Sequence, residues 1–107
     1  METRTVLAAL AALAQESRLA VFRLLVKAGP DGLAASRIAE ELGIAPSSLS
    51  FHLKALSHAG LIVPKQAGRF VIYAADIGAM NGVIGFLTEN CCNGVPCGVS
   101  PVCATNS

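Results

Sequence analysis

The sequence predicts a mainly α-helical domain with one β-hairpin, and three observations support this. Apolar residues recur at helical spacing in five segments of the 107-residue chain, which is the pattern of amphipathic helices. Two of these segments are short and are joined by a tight turn that contains a glycine. Between the fourth and fifth segments the pattern changes to two β-branched and aromatic runs around another glycine. This order of elements predicts a winged helix-turn-helix.

The first two helices are predicted from their apolar residues and from the breakers that follow. Residues 5–14 form the first helix, with the apolar stripe Val6, Leu10 and Leu13. Ser17 is predicted to cap a second helix that runs to about Ala28. Its apolar residues at helical spacing are Leu19, Phe22 and Val26, with Val21 and Leu25 beside them. The cluster Gly29-Pro30-Asp31-Gly32 ends this helix.

A helix-turn-helix is predicted next. Residues 34–42 form a third helix that buries Ile38 and Leu42 and stops at Gly43. Pro46 opens a fourth helix, because proline suits an early helical position, and this helix runs to about His58. Two short helices with a tight turn between them are typical of DNA-binding proteins.

A hairpin and a last helix complete the predicted domain. The strands are residues 61–63 and 70–73, and Gly68 takes the backbone angles that the turn needs. Asp76 caps a fifth helix that runs to about Thr88. Its apolar stripe is Ile77, Met80, Ile84 and Leu87. We therefore divide the chain into a domain of residues 1–90 and an irregular, cysteine-containing tail of residues 91–107.

The composition limits the class of protein. Hydrophobic residues make up 53% of the chain and charged residues 14%, which is more apolar surface than one small domain hides. The excess indicates a partner surface, most simply a homodimer. No run reaches the roughly 18 apolar residues of a membrane span. The sequence shows no phosphate-binding loop, Ser/His/Asp set or paired carboxylates, so we expect a cytoplasmic protein that is neither an enzyme nor bound to membranes.

The fourth helix has the residues of a DNA-reading helix. Leu49, Leu53 and Leu56 share the face that is predicted to pack inward. The opposite face carries Ser47, Phe51, Lys54 and His58, with Ser48 and Ser50 at its sides. Hydroxyls and lysine reach phosphates and base edges in a major groove, and an apolar group can meet a thymine methyl. His52 lies at the border of the two faces and is predicted to be a packed, hydrogen-bonded histidine.

The local charge is consistent with a nucleic-acid partner. The net charge is only +1, but residues 44–75 contain no Asp or Glu and do contain Lys54, Lys65 and Arg69. Lys65 and Arg69 lie on either side of Gly68, where the wing of such a fold reaches the DNA backbone or minor groove. Basic residues on edge strands also prevent aggregation, which is an alternative explanation for these two.

All the cysteines lie near the end of the chain: Cys91, Cys92, Cys97 and Cys103. A disulfide framework would connect distant parts of the chain, whereas these residues connect the tail only to itself. Clustered thiols of this kind indicate a thiolate site in a reducing compartment.

Four stretches resemble the ArsR/SmtB family of arsenical-resistance and metal-responsive repressors. They are Gln15-Glu16-Ser17-Arg18-Leu19, residues 50–56, His58-Ala59-Gly60-Leu61-Ile62, and residues 68–73. The resemblance covers roughly residues 5–90. It implies a homodimer that forms through the first and last helices and binds double-stranded operator DNA. It also implies that the protein leaves the operator when an inducer ion binds.

The cysteine positions are similar to one branch of that family. Residues 44–50, where another branch carries its arsenic cysteines, contain none. The zinc-sensing members use His and Asp pairs on the last helix, where this chain offers only Asp76 and Glu89. The stretch of residues 88–92, together with Cys97, resembles the branch that binds As(III) at the C-terminal end.

The chemistry of the tail fits As(III), or the similar Sb(III), as the inducer. Trivalent arsenic is soft and is satisfied by three thiolates, which Cys91, Cys92 and Cys97 supply, with Cys103 as an accessory or alternative third ligand. We therefore predict an arsenite-responsive transcriptional repressor. Three alternatives stay open: a repressor that senses cadmium or lead, a repressor that senses thiol oxidation, and a small arsenic-binding chaperone without DNA binding.

Overall fold

A computed structural model describes residues 1–89, which fold into five helices and a three-stranded antiparallel sheet. The helices are α1 Thr3–Leu13, α2 Glu16–Ala28, α3 Ala35–Leu42, α4 Pro46–His58 and α5 Ile77–Leu87. The strands are β1 Leu33–Ala34, β2 Ile62–Ala67 and β3 Phe70–Ala75. This is the predicted winged helix-turn-helix. The four cysteines and the rest of the predicted tail lie outside the described residues.

Three of the predicted helix ends are confirmed by their local geometry. Pro46 is in the first turn of α4, where its missing N–H costs no hydrogen bond. Gly43 follows α3 with a φ of 64°, a left-handed conformation that glycine adopts without strain. The side chain of Asp76 caps α5, because its Oδ1 accepts a hydrogen bond of 3.0 Å from the backbone N–H of Ala79.

The predicted cap of α2 was wrong by two residues. Gln15, and not Ser17, precedes the helix. Its side-chain oxygen accepts a hydrogen bond of 2.9 Å from the backbone N–H of Arg18. The glutamine side chain accepts from the same backbone N–H that a serine at position 15 would bind. Ser17 lies inside the first turn of the helix.

The helical core lies between α2 and α4. Its fully or almost fully buried side chains include Val21, Phe22, Leu25, Ile38, Leu49, Leu53, Leu56 and Leu61. The three leucines that the sequence placed on the inner face of α4 are all in this cluster, so that prediction is confirmed. Leu19 and Val26 of α2 are exposed instead, because the α2 face that turns inward is the one that carries Val21, Phe22 and Leu25.

The predicted stripe on α1 is confirmed only in part. Val6 is buried, but the rest of the inward face consists of Ala9 and Ala12, while Leu10 is 37% exposed. Leu13 is half-buried. The small alanines face the core here, whereas Leu7 and Leu10 at neighbouring positions are exposed.

The apolar stripe of α5 is mostly uncovered in the monomer. Val83 is the buried residue of this helix, and Met80 is half-buried. Ile84 is 51% exposed and Leu87 is 59% exposed. Helix α5 contacts α1, which itself exposes Leu7 and Leu10. Exposed leucine and isoleucine side chains therefore lie on two neighbouring helices.

The hairpin is longer than predicted and has a two-residue turn. β2 pairs with β3 from Ile62 opposite Ala75 to Ala67 opposite Phe70, so that Gly68 and Arg69 form the connection. Gly68 has a φ of 61°, as such a turn requires. The predicted first strand, residues 61–63, therefore ends too early, because residues 64–67 also belong to β2.

A short third strand, which the sequence pattern did not reveal, ties the hairpin to the helices. β1 pairs with β3, with Leu33 opposite Tyr73. The residue before β1, Gly32, has a φ of 67°, and a Cβ atom there would collide with the carbonyl oxygen of Tyr73. The Nζ of Lys65 also donates to the carbonyl oxygen of Pro30, at 3.4 Å. The hairpin is thus held along one side by the segment that follows α2.

No single helix within residues 1–89 is long and apolar enough to cross a membrane. Helices α1 and α2 reach the required apolar length only together, and a bend of 102° separates them.

Candidate nucleic-acid interface

The outer face of α4 presents every residue that the sequence assigned to DNA reading on this helix. Ser47, Ser48, Ser50, Phe51, Lys54 and His58 are all exposed. Their positions follow from the burial of the three leucines on the other side, since the helix turns by about 100° per residue. The face combines hydroxyl donors, an ammonium group, an imidazole and an aromatic ring.

Phe51 is the most exposed large hydrophobic residue of the described chain, at 76%. A shallow groove of about 410 Å³ beside it is lined by Ser47, Ser50, Phe51 and Lys54. An aromatic ring that is left in water loses the stabilisation that burial would give it. Its position among polar neighbours therefore favours a role in contact with a partner.

The hairpin and α4 form one concave surface. A cleft of about 590 Å³ separates them and is lined by Ser50, Leu53, Lys54, Ser57, His58, Pro64 and Tyr73. Arg69 is exposed in the hairpin turn, at the far end of the strands. Lys65 is exposed as well, but its Nζ contact with Pro30 directs it toward the helical body. Ser57 and Tyr73 were not singled out from the sequence.

Arg18 also lies beside α4, although the sequence pattern assigned it no site role. The Nε of Arg18 donates a long hydrogen bond of 3.4 Å to the Nδ1 of His52. His52 is half-buried, and its predicted hydrogen bond is confirmed. Arg18 lines a groove of about 320 Å³ together with Phe51, Lys54, Ala55 and His58. Arg18 belongs to one of the stretches that carry the family resemblance, and this was the sequence signal available for it.

The electrostatics of this surface suit an anion. Within residues 1–89 no aspartate or glutamate lines the three grooves around α4. The ion pair of that part of the chain, Arg37 with Glu41 at 3.2 Å, lies on α3 and is exposed. Residues 1–89 also contain no cluster of three His, Cys, Asp or Glu side chains that would hold a metal ion.

Known proteins share both this fold and part of this sequence. A family model described as a helix-turn-helix domain matches residues 13–64, from the end of α1 into β2. The ArsR-like transcriptional regulator from Rhodococcus sp. RHA1 is 27% identical, with a TM-score of 0.73 over 80% of this chain and 78% of that chain. The chain has the winged helix-turn-helix fold of the ArsR-like transcriptional regulators and shares part of their sequence. Another ArsR family transcriptional regulator is 26% identical, with a TM-score of 0.71 over 84% of this chain and 90% of its own.

A third structure has the same fold as this chain. It is the homodimeric winged helix-turn-helix DNA-binding domain of a possible ArsR-family regulator from Mycobacterium bovis. It is 23% identical, with a TM-score of 0.64 over 81% of each chain. No protein of curated function matches the chain in sequence.

Phe51 is expected to contact a thymine methyl group when α4 lies in a major groove. Replacing thymine by uracil removes only that methyl group. We expect the replacement to weaken binding of the wild-type chain about fourfold for each half-site, because burial of one methyl group contributes about 0.8 kcal/mol. The measurement is a titration of a duplex, selected from a random pool, in its thymine and uracil forms.

The matched variants for this test are Phe51→Ala and Phe70→Ala. Phe70 is also exposed but lies on the hairpin. Phe51→Ala should bind both duplexes equally, while Phe70→Ala should keep the wild-type preference for thymine. Equal binding of both duplexes by the wild-type chain would contradict the methyl contact.

Proposed function

We propose that the chain is a transcriptional repressor that binds operator DNA as a homodimer. As(III), or Sb(III), binds its C-terminal cysteines and releases it from the operator. The observation that supports DNA binding is the exposed, acid-free face of α4 beside the hairpin. An α-helix fits the width of a major groove, and serine, lysine and histidine supply donors to phosphates and base edges.

The cations of this surface are expected to bind phosphates and release counterions from the DNA. Lys54 lies on α4 and Arg69 lies at the hairpin tip, so the two are expected to contact different parts of the duplex. Each should contribute to affinity and to its salt dependence. The hydroxyls of Ser47, Ser48 and Ser50 carry no net charge and should affect the choice of sequence instead.

Lys54→Ala and Arg69→Ala should each weaken operator binding and lower the salt slope. The slope of log K against log salt falls by about 0.9 for each phosphate that the variant no longer binds. Binding is titrated at several salt concentrations, with Lys27→Ala as the control of equal charge. Lys27 lies in the last turn of α2 and lines none of the grooves around α4. An Arg69→Ala chain with unchanged affinity and slope would exclude the wing from the interface.

The homodimer is supported by the exposed apolar side chains of α5 and α1. Apolar patches of this kind mark contact surfaces in soluble proteins, and a twofold interface needs only one self-complementary patch. The related Mycobacterium bovis domain is homodimeric. The dimer also matches the geometry of DNA, because two recognition helices then meet half-sites about one turn, roughly 34 Å, apart.

Ile84→Glu should shift the protein from dimer to monomer, because it places a charge within the exposed apolar patch that forms the proposed interface. Val26→Glu is the control, since Val26 is exposed on α2 and lies outside that patch. Sedimentation at micromolar concentration gives the mass of both variants and of the wild-type chain. The dimer model requires a dimeric wild-type chain and a dimeric Val26→Glu variant.

The inducer proposal rests on the sequence of the tail. Every thiol of the chain lies between residues 91 and 103, and thiolates are the preferred ligands of trivalent arsenic. The tail follows α5 within a few residues. Ligation of Cys91, Cys92 and Cys97 would therefore act at the end of the proposed dimer helix. A coupling of about 1–3 kcal/mol between inducer and DNA is typical of such linkage.

Single cysteine variants test the switch. Cys91→Ser, Cys92→Ser and Cys97→Ser should each bind the operator as the wild-type chain does but stay bound when arsenite is added. Cys103→Ser is the matched control and should still be released. The readout is the arsenite concentration that releases half of the protein from a labelled duplex.

The same assay separates the alternatives. Parallel titrations use cadmium, lead and a thiol oxidant in place of arsenite. Release by cadmium or lead alone, or by the oxidant alone, would identify the other inducer class. Release of Cys97→Ser at the wild-type arsenite concentration would exclude Cys97 as a required ligand. Arsenite binding by a chain without affinity for duplex DNA would identify the chaperone.

A further inference from the structure

Helix α4 is bordered by a groove on each side. The α2-side groove is lined by Arg18, Phe51, Lys54, Ala55 and His58. The hairpin-side cleft is lined by Ser50, Leu53, Lys54, Ser57, His58, Pro64 and Tyr73. Lys54 and His58 line both, so they form the crest between the two grooves. The exposed face of α4 is thus a ridge with a depression along each flank, and Arg18 lines the one on the α2 side.

A major groove has the complementary shape. It is about 12 Å wide and is bordered by two sugar-phosphate backbones. A helix that lies in it therefore has one backbone along each side. Arg18 supplies a cation to the α2-side groove, and Ser57 and Tyr73 line the opposite cleft, where their hydroxyl groups can act as donors.

We propose that the two grooves receive the two DNA backbones, and that Arg18 is a phosphate-binding residue on the α2 side. This inference rests on the proposed operator binding and adds a DNA contact outside the helix-turn-helix and the hairpin. The occupant is a backbone phosphate, because a guanidinium group binds phosphate oxygens through two parallel hydrogen bonds.

The side chain of Arg18 is held in place for this role. Its backbone N–H is bound by the Gln15 cap at 2.9 Å, and its Nε donates to the Nδ1 of His52 at 3.4 Å. The two terminal nitrogens remain for a ligand, and within residues 1–89 Arg18 takes part in no salt bridge. The guanidinium group is therefore partly ordered at the wall of the groove before a phosphate binds, which lowers the entropy cost of binding.

The hydrogen bond to His52 offers a rival explanation, in which Arg18 only positions α4. The two roles differ in their salt dependence. A phosphate contact releases counterions and contributes about 0.9 to the slope of log K against log salt. A positioning contact within the protein changes affinity but leaves that slope as it was.

The test compares Arg18→Ala with Arg23→Ala in salt titrations of the full chain on a selected duplex. Arg23 carries the same charge on the same helix, but it is exposed in a different groove, with Phe22, Leu24, Val26 and Lys27. Arg18→Ala should weaken binding tenfold or more, since hydrogen bonds between charged groups are strong. Its slope should fall by about 0.9 per subunit. Arg23→Ala should match the wild-type chain in both.

Two further variants distinguish the loss of a phosphate contact from a loss of folded structure. Arg18→Lys retains the charge and should keep the wild-type slope. His52→Ala removes the acceptor of the internal hydrogen bond and should also keep the wild-type slope. Circular dichroism and sedimentation confirm that each variant is folded and assembled as the wild-type chain is.

Neutral methylphosphonate linkages then locate the contact on the DNA. At one position in each half-site, the neutral linkage should weaken DNA binding by the wild-type chain and leave DNA binding by Arg18→Ala unchanged. A fall in affinity of Arg18→Ala without a change of slope would overturn the inference, as would an equal fall in slope for Arg23→Ala. A wild-type chain that binds no duplex at all would instead overturn the proposed function.

Discussion

The contact between α2 and α4 is the constraint on which the rest of the structure depends. Leu49, Leu53 and Leu56 occupy one face of α4 and share a buried cluster with Phe22 and Leu25 of α2. Protein interiors are packed as densely as organic crystals, so a helix that is fixed on one face has little freedom to rotate. The orientation of the opposite face, which is the face proposed to read DNA, is therefore set by the core.

The same core fixes the hairpin and α5. Leu61 and Ile62, at the start of β2, are buried in the cluster. The backbone N–H of Asp76 donates to the carbonyl oxygen of Leu61 at 2.8 Å, which holds the end of β3 and the cap of α5 against the beginning of the hairpin. The end of α4, the base of the hairpin and the first turn of α5 thus lie close together.

Much of this architecture could be predicted because its causes are local. The period of apolar residues, Pro46, Gly43 and Asp76 determine where helices begin and end, and the leucine spacing determines which face of α4 is exposed. The burial of Ala9 and Ala12 could not be predicted in the same way, since hydrophobicity favours the larger leucines. A strand as short as β1 carries too few residues to show a period.

The parts of the site that the sequence did not reveal depend on contacts between distant residues. Arg18 and His52 are separated by 34 positions, and nothing in the pattern of either helix indicates that they meet. The sequence likewise predicts that α5 has an apolar stripe, but only the packing reveals that most of it stays uncovered by residues 1–89. The predicted ligand cysteines lie outside that range, and their role is proposed from the family resemblance and from the chemistry of their thiols.

The attachment of the hairpin to β1 has a mechanical consequence. Gly32 lies directly against Tyr73 and Lys65 reaches Pro30, so the wing is attached to the helical body along one side. Each strand of the hairpin has six residues and is therefore about 20 Å long. A tilt of the protomer by about 5° about the base of such a strand displaces the tip of the strand by about 2 Å. That distance is comparable to the reach of a hydrogen bond, so a small rotation between subunits would be sufficient to lift Arg69 from a phosphate.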